Sequence, residues 1–160
     1  MGDGTTRANG SSIQGVHVAP LRRICDERGM IMHMLRCDSP LFERFGEIYF
    51  SQVWPGVIKG WHIHKKQTQH YAVLQGMIKL VLHDLREGAP SSGTTEEHFV
   101  GDYNYCLVRI PPGVANGYKN YGTEPALVAN CADLPHDPDE MVRLDPFAKD
   151  IDYDWALRHR

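Results

Sequence analysis

Residues Pro55–Gly76 read PGVIKGWHIHKKQTQHYAVLQG, with a Pro-Gly opening, histidines at 62 and 64, and a glycine at the far end. In an extended strand the side chains of residues i and i+2 leave the same face, so His62 and His64 project together from one surface. Two imidazoles on one inward face suit acid–base chemistry, because histidine titrates near neutral pH. Gly76 is expected to form the corner of a hairpin that joins HYAVL to MIKLVLHDL, since glycine accepts the positive φ such a corner requires.

Outward from this stretch, apolar and β-branched runs stay short and are broken by turn residues, which predicts an all-β domain. Further strands are expected in IYFSQV from Ile48, in CLVRI ending at Ile110 and in PALVANC from Pro125 to Cys131, with REGAPSSGTT and PPG between strands. No long stretch repeats apolar residues at helical spacing, although SPLFERFGE is expected to form a helical turn or two near Phe42. The closing segment DPDEMVRLDPFAKDIDYDWALRHR is acidic, then aromatic, and reads as a wrap over the mouth of the fold. Neither a repeat nor a linker divides the chain. Residues 1–12 are expected to be a flexible tail and residues 13–160 a single domain.

At 160 residues the chain can bury a core without disulfides. Its 17 Lys and Arg against 20 Asp and Glu leave a net charge of -3, which gives no basic footprint for nucleic acid. No apolar run reaches the length of a membrane span, and MGDGTTRANGSS is unlike a signal peptide. Cys25, Cys37, Cys106 and Cys131 form no CxxC pair, and each neighbours apolar residues. They are expected to be small buried hydrophobes in a protein of the reducing cytoplasm.

The stretch from Pro55, together with IPPGVANGYKN from Ile110 to Asn120, resembles the two signature motifs of the cupin superfamily. A metal-binding cupin usually has glutamate where this chain has Gln69, and a third histidine where it has Asn116. Amides are poor transition-metal ligands, so neither a metal nor another cofactor is expected. Five blocks then fall in order: DERG at 26–29, GVIKGWH at 56–62, GMIKLVLHDLR at 76–86, IPPGVANG at 110–117, and Asp145-Pro146 ahead of an Ile-x-aromatic. That order resembles the dTDP-4-dehydrorhamnose 3,5-epimerases over roughly residues 13–155.

The resemblance implies an all-β cupin double-stranded β-helix, or jelly-roll barrel, with short helical turns. It also implies a homodimer that epimerises a 4-keto-6-deoxyhexose carried on a nucleoside diphosphate. The ketone acidifies the neighbouring C–H bonds, so inversion needs a base on one face, a proton donor on the other, and stabilisation of the enolate oxygen. By resemblance, His62 is the base and Asp145 its carboxylate partner. Arg28 binds phosphate and reaches the neighbouring subunit's site, while Lys59 stands where the family usually has arginine. Gln69 aligns with the lysine that polarises the C4 oxygen, Asn116 aligns with a histidine, and His64 joins them in the substrate-binding set. The family's acidic tyrosine falls near Ala129 or Asn130, and no tyrosine lies between Tyr121 and Tyr153. His64, His70 and Tyr118 remain as substitutes, and one of the two carbons is expected to react faster than the other. Rival readings are a 3,4-ketoisomerase on the same substrates, a metal-dependent cupin enzyme and a non-catalytic nucleotide-sugar binder.

Overall fold

The structure, a computed structural model, describes residues 10–158. Among them the regular elements are strands: β1 (His17–Pro20), β2 (Arg23–Asp26), β3 (Gly29–Met32), β4 (Glu47–Val53), β5 (Ile58–His64), β6 (Gln69–Gln75), β7 (Met77–Asp84), β8 (Thr95–Gly101), β9 (Cys106–Ile110), β10 (Val114–Asn120), β11 (Ala126–Ala132) and β12 (Met141–Arg143). Two 5-stranded sheets face each other, in the orders β1-β9-β6-β11-β4 and β12-β5-β10-β7-β8, and β2 pairs with β3 apart from both. This is the double-sheet jelly roll that the sequence implies.

Period-two alternation builds the interior. Val53 of β4, Tyr71 and Val73 of β6, and Ala126 and Val128 of β11 meet Ile78, Leu80 and Leu82 of β7 in one apolar cluster. Leu80 and Leu82 are fully buried, and each such side chain contributes on the order of 1.5–3 kcal/mol relative to exposure. The same faces of β4 and β11 turn polar farther along the strands, and there, opposite β5, the interior stays open.

Gly76 has φ +77°, as a corner requires, but it does not close a hairpin. β6 and β7 lie in different sheets, so Gly76 carries the chain from one layer to the other. A Cβ there would stand 2.9 Å from Ala126. The helical turns expected near Phe42 are also absent from the described residues. That segment makes isolated turns, closed by Ser39 N–H to the Arg36 carbonyl and Phe42 N–H to the Ser39 carbonyl. Between Pro40 and Gly46 stand only Leu41–Phe45, too short a run to nucleate a helix.

The C-terminal segment divides: Met141, Arg143 and Pro146 border the open end of the interior, while the aromatic part that follows covers the outer face of the second sheet. Ile151 and Trp155 pack with Trp61, Val81 and Ala115 in a second apolar cluster, the Trp61 and Trp155 rings 5.1 Å apart. Gly117 lies beneath those indoles, where an added Cβ would meet Trp155 at 3.1 Å. Cys106 and Cys131 are buried as expected, but Cys25 and Cys37 are exposed. Cys25 sits on the separate β2–β3 hairpin and Cys37 in the turn segment, so apolar sequence neighbours did not imply burial. Of the expected tail, residues 1–9 lie outside the described residues, while Ser11 and Ser12 bond to Glu96 of β8. Among the described residues no helix is long and apolar enough to cross a membrane.

Candidate active site

A cavity of about 750 Å³ opens between the sheets, and Tyr49, Ser51, Lys59, His62, His64 and Arg143 are among the residues lining it. Its size is that of a pocket for a small organic ligand. Strand alternation places His62 and His64 on its wall, as their spacing predicts.

Alternation alone would send Lys59 outward, three residues from His62. In the register, however, Asn116 pairs with His62 and Tyr118 with Lys59, so β5 carries an extra residue there. The bulge returns Lys59 to the cavity face beside His62, which is the usual effect of such an insertion. Lys59 Nζ donates to Ser51 Oγ at 2.8 Å and to the Gln52 carbonyl at 2.6 Å, leaving its third donor for the cavity. Arg143 pairs with His62 in register from β12 and adds a second cation.

The two histidines differ in their surroundings. His64 Nδ1 lies 2.7 Å from Glu140 Oε2, and His64 Nε2 lies 2.5 Å from Gln69 Nε2. The polarity of this chain is set at both ends. Gln67 Nε2 donates to the Leu134 carbonyl, Gln67 Oε1 therefore accepts from Gln69 Nε2, and Gln69 presents its amide N–H to His64. Glu140 Oε1 accepts from the backbone N–H groups of Lys66 and Gln67. His64 is accordingly held as the Nδ1–H tautomer with both nitrogens occupied. Burial pushes the Glu140 carboxyl up, but the N–H groups of Lys66 and Gln67 and the His64 ring outweigh it and hold the acid below its usual range.

His62 is half-buried, and its ring hydrogen-bonds to no described residue. Burial, followed by the charge of Arg143, lowers its pKa to about 4. The imidazole is therefore neutral at pH 7, with a lone pair free for a ligand.

Three phenols also line the cavity: Tyr49, Tyr71 and Tyr118. Tyr71 donates to Asn116 Oδ1 at 3.1 Å and Tyr118 to Ser51 Oγ at 3.0 Å. Burial raises the pKa of both. Tyr49 instead accepts from Asn130 Nδ2 at 2.9 Å.

Residues 10–160 match the family described as dTDP-4-dehydrorhamnose 3,5-epimerase. The chain belongs to that family. A similar solved structure is a dTDP sugar isomerase from Desulfovibrio desulfuricans G20, at 45% identity and TM-score 0.88, covering 92% of this chain and 94% of that one. The chain is also similar to the spore coat polysaccharide biosynthesis protein SpsL of Bacillus subtilis (strain 168), 36% identical over 150 residues, which are 92% of this chain and 99% of the relative. A probable low-salt glycan biosynthesis epimerase, Agl13 of Haloferax volcanii, is 33% identical over 121 residues, covering 74% and 78% of the two chains. Membership makes the protein a carbohydrate epimerase acting on a nucleotide sugar.

Within this epimerase the remaining residues singled out in the sequence take different places. Gln69 and Asn116 are each 1% exposed and stand behind the lining, Gln69 against His64 and Asn116 against Tyr71. Asn116 Nδ2 also donates to the His62 carbonyl at 3.2 Å. His70 points away from the cavity, its ring nitrogens against the carbonyls of Cys131 and Leu41. Arg28 lies at the tip of the β2–β3 hairpin, 85% of its side chain exposed and paired with Asp26. Asp145 follows Leu144, whose N–H and C=O both bond to Trp61, yet its Oδ1 accepts from Phe147 N–H and it makes no hydrogen bond to His62. Among the described residues no three His, Cys, Asp or Glu side chains gather as a metal-binding group.

Sequence reasoning missed Glu140, Arg143, Tyr49 and Asn130. The alternation of IYFSQV held a usable signal, since Tyr49 and Ser51 share a face. Glu140 carried none, because it reaches His64 from an irregular loop.

Proposed function

We propose that the protein epimerises a 4-keto-6-deoxyhexose carried on a nucleoside diphosphate, with His62 removing the proton next to the C4 ketone. The observation that carries this reading is a neutral imidazole, free of hydrogen bonds, on the wall of a cavity that also holds two cations. A base must be unprotonated to act, and a pKa of about 4 keeps His62 so throughout the neutral range.

Lys59 and Arg143 supply positive charge for the diphosphate and for the enolate that forms when the proton leaves. Asp145 enters beside β5 through the Leu144–Trp61 pair, and turning its carboxylate from Phe147 toward His62 would offset the imidazolium formed in the reaction. His64 stays fixed by Glu140 and Gln69 and shapes the wall. Gln69 and Asn116 act through their neighbours, since neither lines the cavity.

The reading extends to a homodimer. The β2–β3 hairpin belongs to neither large sheet and exposes Ile24, Met30 and Ile31, so it is suited to pack on a second copy and carry Arg28 to that copy's diphosphate. The two exposed free thiols, Cys25 and Cys37, fit a reducing cytoplasm.

The test is proton NMR of dTDP-4-keto-6-deoxyglucose incubated with the protein in heavy water. Deuterium entering C3 or C5, one faster than the other, with formation of an epimer, is the expected result. A carbonyl that moves to C3 would indicate a ketoisomerase, and binding without exchange at either carbon a non-catalytic binder; either would overturn the proposal.

A further inference from the structure

We infer that Tyr49 is the proton donor that completes epimerisation, reaching the sugar from the sheet opposite His62. The inference rests on the epimerase reading and assigns the half of the reaction that reading leaves open.

Inversion requires donor and base on opposite faces of the reacting carbon. His62 comes from β5 in one sheet and Tyr49 from β4 in the facing sheet, and both line the same cavity. A sugar lying between the sheets has one of them on each side.

The choice among the phenols follows from where their protons go. Tyr71 and Tyr118 have donated theirs to Asn116 and Ser51. Tyr49 receives a hydrogen bond from Asn130 and shares one with Tyr71. Because Tyr71 gives its proton to Asn116, the proton between the two phenols is that of Tyr49, in a contact on the cavity wall that an entering sugar can replace. The Asn130 amide N–H is placed to stabilise the phenolate left after transfer. His64 cannot serve, because Glu140 and Gln69 occupy both its nitrogens.

Position in the sheet supports the assignment. Of Ala129 and Asn130, near which the resemblance puts the family's tyrosine, Asn130 lines the cavity, and Tyr49 is its direct partner in register on β4. The phenol is thus supplied from the strand adjacent to β11, and Asn130 holds it.

The step balances. His62 takes the proton from carbon, and the C–H pair enters the enolate. The enolate then re-forms the ketone as the carbon bonds to the Tyr49 proton, leaving a phenolate and an imidazolium. Tyr49 is 41% exposed, so solvent restores its proton and removes that of His62.

The experiment follows Tyr49→Phe by NMR in heavy water with dTDP-4-keto-6-deoxyglucose, measuring deuterium entry and epimer formation separately. Epimer formation is expected to fall by about 10²–10⁴-fold. Exchange with retained configuration should continue, because His62 can remove a proton and return a deuteron to the same face. Continued exchange also shows that the variant is folded. Epimer formed within threefold of the wild-type rate would overturn the assignment, and so would loss of both reactions. A wild-type protein that shows neither reaction would overturn the epimerase reading itself.

Discussion

His64 Nδ1 lies 2.7 Å from Glu140 Oε2, whereas the ring of His62, two residues earlier on the same face, hydrogen-bonds to no described residue. One motif thus holds two histidines of different use. The paired ring is fixed in one tautomer with no nitrogen to spare, and the unpaired ring is neutral and open to a ligand. On the proposed mechanism this division gives His62 the role of base and His64 that of its support.

Replacing Glu140 by Gln should destabilise the protein. The buried carboxylate accepts from two backbone N–H groups and from His64, and an amide must present its own N–H to one of those donors. The expected loss is about 1–3 kcal/mol, read from chemical denaturation, with a fall in kcat larger than the change in KM. Unchanged stability and rate would show that the pairing does not hold His64.

Asp145→Asn tests the proposed compensation of the imidazolium. The Asn side chain can still accept from Phe147 N–H, so fold and substrate binding should survive while kcat falls strongly. Steady-state kinetics separates the two effects. An unchanged kcat would leave Asp145 as a turn residue only.

The low pKa of His62 gives a pH profile with a definite sign. Its folded value, about 4, lies below the ordinary 6.5. The acid limb of kcat/KM, which reports the free enzyme, should therefore fall near pH 4 rather than 6.5. Between those values the unfolded state binds a proton that the folded state refuses, so His62 lowers stability as pH falls through this window. His62→Asn should reduce that loss in thermal melts taken from pH 7 to 4.

Much of the fold was legible because short apolar and β-branched runs mark the strands and turn residues mark the breaks. The partners of those strands were not. Gln75-Gly76 states that the chain turns, but nothing local states that the next strand joins the facing sheet. In the site, the His62 and His64 spacing was sufficient for their common face. Lys59 reaches that face through a bulge that its spacing does not reveal, and Glu140 meets His64 only after the Asp137–Glu140 turn folds back onto β5. Tyr49 was readable on the inward face of IYFSQV, yet its role depends on Asn130, 81 residues away.

The most direct measurement is the rate at which His62→Asn exchanges the sugar protons at C3 and C5 with heavy water, beside the wild type and at saturating substrate. The substitution removes the base while keeping a polar side chain in its place, and nucleotide-sugar binding should persist. Exchange at both carbons is expected to fall by about 10²–10⁴-fold. Exchange at the wild-type rate from a variant that still binds would contradict the assignment of His62 as the base.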